Sequence, residues 1–336
     1  MIYPKFINKH HTIGITAPSD GIIHEERLNR LENAKKHFLK LGIDVIETDS
    51  IRCSNNGRST DAKSRANELE LLLKNNIVDA VICISGGDFL LEMLPYFDFE
   101  LFRKNPKWLQ GYSDPSGLTF VLTTKYDIAT IYSHNFLGFG QEIWHSSVKD
   151  NFDLLMGENI VQNNFDKYEK ESVKYVTGLE GYNLDTRVEW KSLTDKDINI
   201  EGRLIGGCLD IITELIGTPY DSINSFIDKY KADGIIWFFD NAELSTEDIV
   251  RTMWKFEECG YFKHTKGILF GRSANESSFY DISFKETLST SLSHLNVPIL
   301  YDMDFGHLPP RMTIINGSFA HIMFKNNNGS IEFEYK

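Results

Sequence analysis

The sequence lacks the features of three large classes of protein. No apolar run is long enough to span a bilayer, and no apolar segment typical of a secretory signal follows the first five residues. The four cysteines show no CxxC spacing, so we expect neither structural zinc nor disulfides, and a cytoplasmic location. The net charge is −13 and Lys and Arg form no basic run, so nucleic acid and anionic membrane surfaces are not expected partners.

What remains is the composition of a globular protein that is long enough for two domains. The chain has 336 residues, of which 41% are hydrophobic and 25% charged. Within residues 1–150, strand patterns at 12–16 and 78–84 alternate with helix patterns at 28–41 and 62–74. This alternation predicts an N-terminal α/β domain with a parallel sheet, whose ligands bind beyond the carboxyl ends of the strands.

The remainder of the chain has a different sequence pattern. Residues 151–200 are polar and irregular, and we interpret them as a connecting segment. Residues 201–336 are predicted to form a mostly β domain with helices, one of them at 246–259, and the Asn-rich stretch 326–329 indicates a terminal β-hairpin. The strand patterns of this second domain lie at 234–239, 266–270, 297–300, 312–315 and 321–324.

Ser113 lies between a short predicted strand, 108–110, and a predicted helix that starts near Ser116. Gly111 permits a tight turn, and Pro115 suits the first helical turn because no backbone N–H is needed there. A serine on such an elbow exposes its hydroxyl at a helix N-terminus, which favours developing negative charge. The pattern marks this serine as a candidate nucleophile, although a serine that only caps the helix has the same local sequence.

Three further loop positions supply groups that a serine nucleophile needs. Gly86 and Gly87 follow a buried strand, and one of their N–H groups, with that of Asp114, can form an oxyanion hole. Asp240 ends an apolar strand pattern, and His307 lies in a loop after another. Each has an ordinary alternative as a turn, a cap or a surface side chain. Together they predict a Ser-His-acid triad.

These motifs resemble those of the LD-carboxypeptidase family of serine peptidases, which includes the microcin C immunity peptidases. The family fold is an N-terminal α/β domain and a C-terminal mostly β domain, with the active site at their junction. The resemblance covers nearly the whole chain in matching order, at residues 13–19, 86–88, 105–107, 111–114, 202–207, 217–220, 266–271 and 304–307.

The resemblance implies a role for each matching residue. Ser113 is the nucleophile, His307 the general base, and the N–H groups of Asp114 and of Gly86 or Gly87 form the oxyanion hole. No metal or organic cofactor is implied. A homodimer is implied by the family, although no feature of the sequence itself points to one.

Two positions depart from the family pattern. The triad acid falls on Asp240 where Glu is usual, and Glu243 is the alternative acid. Cys208 replaces the Asn of the family's Gly-Gly-Asn-Leu, which removes an amide that both donates and accepts hydrogen bonds. We predict Ser19, Cys208, Glu243 and Trp190 as substrate-binding residues, with packing at the domain junction as the alternative for the tryptophan.

The leading hypothesis is a serine peptidase or amidohydrolase that cleaves an amide near a carboxyl terminus. Its substrate is then a small peptide or a peptidyl- or aminoacyl-nucleotide, as in microcin C immunity. The alternative substrate is the LD bond of a murein tetrapeptide. A hypothesis of another class, motivated by the two departures, is a ligand-binding homologue without turnover.

Overall fold

Two large β-sheets with helices packed against them, and a small two-stranded antiparallel sheet, form the protein in the computed structural model, which describes residues 1–194 and 196–336. The strands are β1 (Thr12–Thr16), β2 (Asp44–Glu47), β3 (Val78–Cys83), β4 (Trp108–Gln110), β5 (Thr130–Tyr132), β6 (Gln162–Asn163), β7 (Lys167–Tyr168), β8 (Thr186–Arg187), β9 (Lys191–Ser192), β10 (Ile198–Cys208), β11 (Ile235–Asp240), β12 (Thr265–Gly271), β13 (Ile299–Met303), β14 (Ile314–Asn316), β15 (Phe319–Lys325) and β16 (Asn328–Glu334). The α-helices are α1 (Glu25–Lys40), α2 (Ala62–Lys74), α3 (Glu100–Lys104), α4 (Ser116–Tyr126), α5 (Ser146–Leu155), α6 (Leu209–Leu215), α7 (Ile223–Lys229), α8 (Thr246–Glu258) and α9 (Phe284–Leu292).

The N-terminal sheet is mostly parallel, as predicted. Its order is β14-β5-β4-β3-β1-β2, and only the β14–β5 pairing is antiparallel. The apolar strand β3 is buried along most of its length because helices cover both faces of a sheet of this kind. Strand β14 comes from the C-terminal part of the chain, so the predicted strand at 312–315 extends the first sheet rather than the second.

The C-terminal sheet has the order β6-β16-β15-β10-β11-β12-β13-β9. Its centre, β10 to β13, is parallel, and antiparallel strands flank it on both sides. The predicted hairpin is β15–β16, whose turn residues Asn326 and Asn327 have φ of 51° and 62°. The α/β fold class is thus confirmed.

The segment 151–200 contributes more regular structure than its polar composition suggests. Strands β6 and β9 form the two edges of the C-terminal sheet by pairing with β16 and β13. The division of the chain at residues 150 and 200 stays a prediction. Among the described residues, no helix has both the length and the apolar character needed to cross a membrane.

Candidate active site

Ser113 occupies the sharp turn between β4 and α4. Its backbone φ is 69°, in the left-handed region that residues with a side chain rarely adopt. Gly111 is required nearby, because a Cβ there would lie 2.7 Å from the Cβ of Pro115. The Ser113 carbonyl accepts a hydrogen bond from the N–H of Ser116 at 2.9 Å, which starts the helix. The local structure is the elbow that the sequence predicts.

The structure brings Ser113, His307 and Asp240 into one hydrogen-bonded chain. His307 Nε2 lies 3.0 Å from Ser113 Oγ, and His307 Nδ1 lies 2.7 Å from Asp240 Oδ2. The carboxylate can only accept, so Nδ1 carries the proton and Nε2 is left to accept from the serine hydroxyl. This arrangement can deprotonate the serine and stabilise the resulting imidazolium.

Asp240 is fully buried at the end of β11 and satisfies its carboxylate with three donors. Besides His307 Nδ1, these are the Tyr132 hydroxyl at 2.5 Å and the His307 backbone N–H at 3.3 Å. Gly306 allows the close approach, because a Cβ there would lie 2.1 Å from Asp240 Oδ1. The loop that carries the histidine therefore lies directly against the carboxylate, which compensates for an aspartate side chain shorter than glutamate.

The pKa values of the acid and the histidine shift in opposite directions. For Asp240, burial opposes ionisation, but the charge and hydrogen bond of His307 and the Tyr132 hydroxyl outweigh it and hold the pKa below its usual range. For His307, desolvation lowers the pKa, but the Asp240 carboxylate more than compensates and raises the pKa above its usual 6.5. At neutral pH the acid is therefore an anion.

This shift predicts the acidic limb of the pH profile. His307 must be neutral to accept the serine proton, and protonation inactivates it. We expect kcat/KM to rise with pH through an apparent pKa above 6.5, because the raised pKa keeps the imidazole protonated to higher pH. Initial rates between about pH 5 and about pH 9 measure this. A limb with its midpoint below 6.5 would contradict the proposed pairing.

Backbone N–H groups are available for an oxyanion beside the serine. Gly86 lies against Ser113, since a Cβ there would be 3.0 Å from Ser113 Oγ. Within the described residues, no hydrogen-bond acceptor engages the N–H of Gly86, Gly87 or Asp114. Donors left free next to a nucleophile can stabilise a tetrahedral oxyanion.

The side chains of Asp114 and Ser19 are both buried next to the Gly86-Gly87 turn. Burial raises the pKa of Asp114 to about 6, although its Oδ2 accepts from the Leu90 N–H at 2.9 Å. Ser19 is fully buried and accepts from the Phe89 N–H at 3.3 Å. Ser19 is thus packed against the loop after Gly87, and its predicted contact with substrate stays a prediction.

Cys208 is buried next to the hydrogen-bonded chain of Ser113, His307 and Asp240. Its side chain is buried, and Sγ donates to Asp210 Oδ2 at 3.3 Å. Cys208, Asp240 and His307 each have an atom that could bind a metal ion, and these three atoms lie within 4.8 Å of one another. The carboxylate and the imidazole are already engaged with each other in the triad. Cys208 is not among the residues that line the cavity of about 270 Å³ next to His307, and its predicted contact with substrate stays a prediction.

Glu243 and Trp190 make no hydrogen bond to Ser113, His307 or Asp240, and the substrate contact of Glu243 stays a prediction. Glu243 is exposed, and its backbone N–H donates to Asp210 Oδ1 at 2.8 Å. Trp190 is 1% exposed, and its Nε1 donates to Asp304 Oδ2 at 2.7 Å, so it cannot stack on a substrate base. The alternative prediction for Trp190, packing at the domain junction, agrees with its burial.

Asp304 holds the loop that carries the histidine through a buried ion pair with Arg272. The guanidinium also donates to the carbonyls of Leu308 at 3.0 Å and Pro310 at 2.9 Å, on either side of the cis Pro309-Pro310 bond. The loop between these residues is thereby tied to β12 and β13.

We expect Asp304→Asn to lower the free energy of unfolding by about 3–5 kcal/mol, because it leaves the buried Arg272 charge unpaired. Asp302→Asn is the matched control: Asp302 pairs with the half-exposed Lys191 at 2.8 Å, and its loss should cost less than about 1 kcal/mol. Urea unfolding of both variants measures the difference. Equal effects would show that the buried pair does not anchor the loop.

A cavity of about 270 Å³ opens beside the triad. Its walls include Gly86, Tyr112, Tyr182, His307 and Arg311. The position next to both the base and the oxyanion donors makes it the candidate substrate cavity.

Sequence reasoning missed Tyr132 and Arg311. Tyr132 ends β5, so the rule that ligands bind beyond the carboxyl ends of strands would have pointed to it. Arg311 follows His307 by four residues in an irregular loop, where no periodic pattern indicates which way a side chain faces.

Comparison with known proteins gives matches along most of the chain. Residues 13–133 match the model of the LD-carboxypeptidase N-terminal domain, and residues 201–322 match that of the C-terminal domain. A "Putative carboxypeptidase" of Vibrio cholerae is 25% identical, over 99% of this chain and 98% of that protein. The Escherichia coli microcin C7 self-immunity protein is 24% identical, over 83% and 80%. The "Probable murein peptide carboxypeptidase" of Bacillus subtilis is 22% identical, over 98% and 94%.

Solved structures share the fold. An MccF-like protein from Bacillus anthracis superimposes with a TM-score of 0.84 at 24% identity, over 100% of both chains. The microcin C7 self-immunity protein in complex with aspartyl sulfamoyl adenosine superimposes with a TM-score of 0.83 at 21% identity, over 100% of this chain and 99% of that one.

Proposed function

Since this chain belongs to the LD-carboxypeptidase family and is a serine carboxypeptidase-type hydrolase, we propose that Ser113, His307 and Asp240 are its catalytic triad. The observation that carries the proposal is the unbroken chain of hydrogen bonds from the Ser113 hydroxyl to the buried carboxylate. These hydrogen bonds favour an enzyme that turns over its substrate, rather than a homologue that only binds its ligand.

The reaction proceeds through an acyl-enzyme. His307 Nε2 takes the Ser113 hydroxyl proton while Oγ attacks the amide carbonyl carbon, and the oxyanion that forms accepts from the free N–H groups of Asp114 and the Gly86-Gly87 pair. His307 then donates the proton to the amide nitrogen, which leaves as an amine. Water, deprotonated by the same imidazole, hydrolyses the ester and restores the serine.

The proposed substrate is a peptidyl- or aminoacyl-nucleotide amide, as in microcin C immunity. Its support is the relative solved with aspartyl sulfamoyl adenosine, which shares the fold along the whole chain. The cavity wall includes tyrosines 112, 175 and 182, aromatic side chains that can pack against such a ligand. The second candidate is the LD bond of a murein tetrapeptide, which the name of the Bacillus subtilis relative favours.

Mass spectrometry of the products separates these candidates. Wild type and Ser113→Ala are each incubated with aspartyl sulfamoyl adenosine and with a murein LD-tetrapeptide. Cleavage by wild type alone supports the hydrolase and names its substrate class. If neither compound is cut but one raises the melting temperature of both proteins equally, the binding homologue is the better account.

The homodimer that the family resemblance implies is also a proposal, and light scattering of the purified protein tests it. The cytoplasmic location stays an expectation from cysteine usage.

A further inference from the structure

The cavity beside the triad is cationic in a chain that is acidic overall. Three arginines, Arg27, Arg30 and Arg311, and two carboxylates, Glu169 and Glu180, line it. The chain as a whole has a net charge of −13. A local excess of positive charge in an acidic protein attracts anionic ligands to the cavity.

The two carboxylates do not neutralise the arginines. Glu169 accepts from the N–H groups of Val173 at 2.9 Å and Asn183 at 2.7 Å, and Glu180 accepts from backbone N–H groups of residues 176–178. Within the part of the chain that the structure describes, Arg27, Arg30 and Arg311 form no ion pair.

Arg30 and Arg311 differ in how many of their donors already have partners in the protein. Arg30 donates to the carbonyls of Leu137, Gly178 and Glu180 at 2.8–3.0 Å, which makes it a support of the cavity wall. Arg311 is 7% exposed, yet only Nε and Nη2 have partners, the carbonyls of Gly306 at 2.8 Å and His307 at 3.4 Å. Its Nη1 makes no hydrogen bond to any described residue, so a buried guanidinium keeps donors for a ligand.

Arg311 is also placed close to the reacting atoms. The Tyr112 ring stacks under its guanidinium at 4.2 Å and meets the His307 ring edge-on at 5.2 Å. Tyr112 directly precedes Ser113 in the chain. An anion bound to Arg311 would therefore lie next to the scissile amide.

We propose that Arg311 is a specificity-determining residue that binds a carboxylate of the substrate next to the scissile amide. A buried guanidinium that, among the described residues, forms no ion pair and leaves Nη1 without a partner keeps donors for a ligand, and a carboxylate that accepts two parallel N–H bonds is the best partner for them. The inference rests on the proposed hydrolase function and adds a requirement for an anionic group. That group has two possible sources, an acidic side chain of an aminoacyl nucleotide or the carboxyl terminus of a peptide.

Matched substrate pairs test the proposal. One pair is aspartyl and asparaginyl sulfamoyl adenosine, and the other is a murein tetrapeptide with a terminal carboxylate or a terminal amide. In one of the two pairs the carboxylate is the group that Arg311 binds. For that pair we expect the kcat/KM of wild type to be about 10- to 100-fold higher for the carboxylate member than for the neutral member, mainly because KM is lower. Arg311→Gln should abolish that preference, and Arg311→Lys should retain part of it.

The control is Arg103→Gln, which removes an arginine that is 60% exposed on α3 and should leave the preference unchanged. If Arg311→Gln lowers turnover of the charged and neutral members equally, Arg311 only positions the histidine and the proposal is wrong. Equal cleavage of both members of each pair by wild type also overturns it while leaving the hydrolase intact.

A binding measurement separates this inference from the proposed function. Titration calorimetry on Ser113→Ala compares the two members of each pair without turnover. The inference is supported, even if no substrate is cut, when the carboxylate member of a pair binds more tightly than the neutral member and Arg311→Gln removes that difference. Equal binding of both members in both pairs overturns it.

Discussion

Replacing Ser113 with alanine is expected to lower kcat by a factor on the order of 10⁴ to 10⁶, whichever amide the protein cleaves. The side chain supplies the attacking oxygen, and no other hydroxyl lies within hydrogen-bond distance of His307 Nε2 among the described residues. What remains is the stabilisation that the oxyanion donors and substrate binding give to attack by water. Steady-state assays with product detection by mass spectrometry cover this range.

The fold should survive this change, because alanine removes only a hydroxyl from a residue whose backbone is already held at φ 69°. A melting temperature within a few degrees of wild type checks that. Ser289→Ala is the matched control, since Ser289 is exposed on α9 and, among the described residues, its hydroxyl hydrogen-bonds only to that of Ser293 at 3.3 Å. More than about 1% residual activity in Ser113→Ala would remove the serine from the proposed mechanism.

Asp240→Asn is expected to lower kcat by about 10⁴-fold, whereas Glu243→Ala should change it less than twofold. The amide has nearly the same shape as the carboxylate but cannot stabilise the imidazolium, and it permits the wrong tautomer of His307. Glu243 is exposed and forms neither a hydrogen bond nor an ion pair with His307. Steady-state kinetics on the same substrate compare the two variants.

The reverse result would reassign the acid. In that case kcat would fall less than tenfold in Asp240→Asn and by a large factor in Glu243→Ala. The loop after β11 would then have to adopt a different conformation. Circular dichroism and a melting curve exclude misfolding, which is a concern because Asp240 is fully buried.

Local signals in the sequence were sufficient for several elements. The predicted helix near 62–74 coincides with α2, whose cap Asp61 accepts from the Ser64 N–H at 3.0 Å. The start of α8 was equally readable, because Ser245 and Asp248 form a capping box. Caps and turns depend on neighbours within a few residues, so a single sequence specifies them.

Contacts between distant segments were harder to predict. The sequence placed Ser113, Asp240 and His307 at strand ends but left open which acid meets the histidine, because that depends on the close approach that Gly306 permits. The burial of Trp190 on Asp304 depends on residues more than 100 positions apart. Nothing local indicates such pairings.

The rival account, a homologue that only binds its ligand, rests on the substitutions at positions 208 and 240. Both differ from the family pattern, yet Asp240 makes its bond to His307 and Cys208 lies outside the cavity. Neither substitution removes a group that the proposed mechanism uses. Turnover therefore remains the better supported proposal.

The most direct measurement of the central claim is covalent labelling of Ser113 by a fluorophosphonate. A serine activated by a histidine and an acid attacks phosphorus as it attacks a carbonyl, and the adduct is stable. Mass spectrometry of the tryptic peptide 108–125 then locates the modification. The account predicts stoichiometric labelling of Ser113 in wild type, far slower labelling in His307→Ala and none in Ser113→Ala. Unlabelled wild-type Ser113, or equal rates in wild type and His307→Ala, would contradict it.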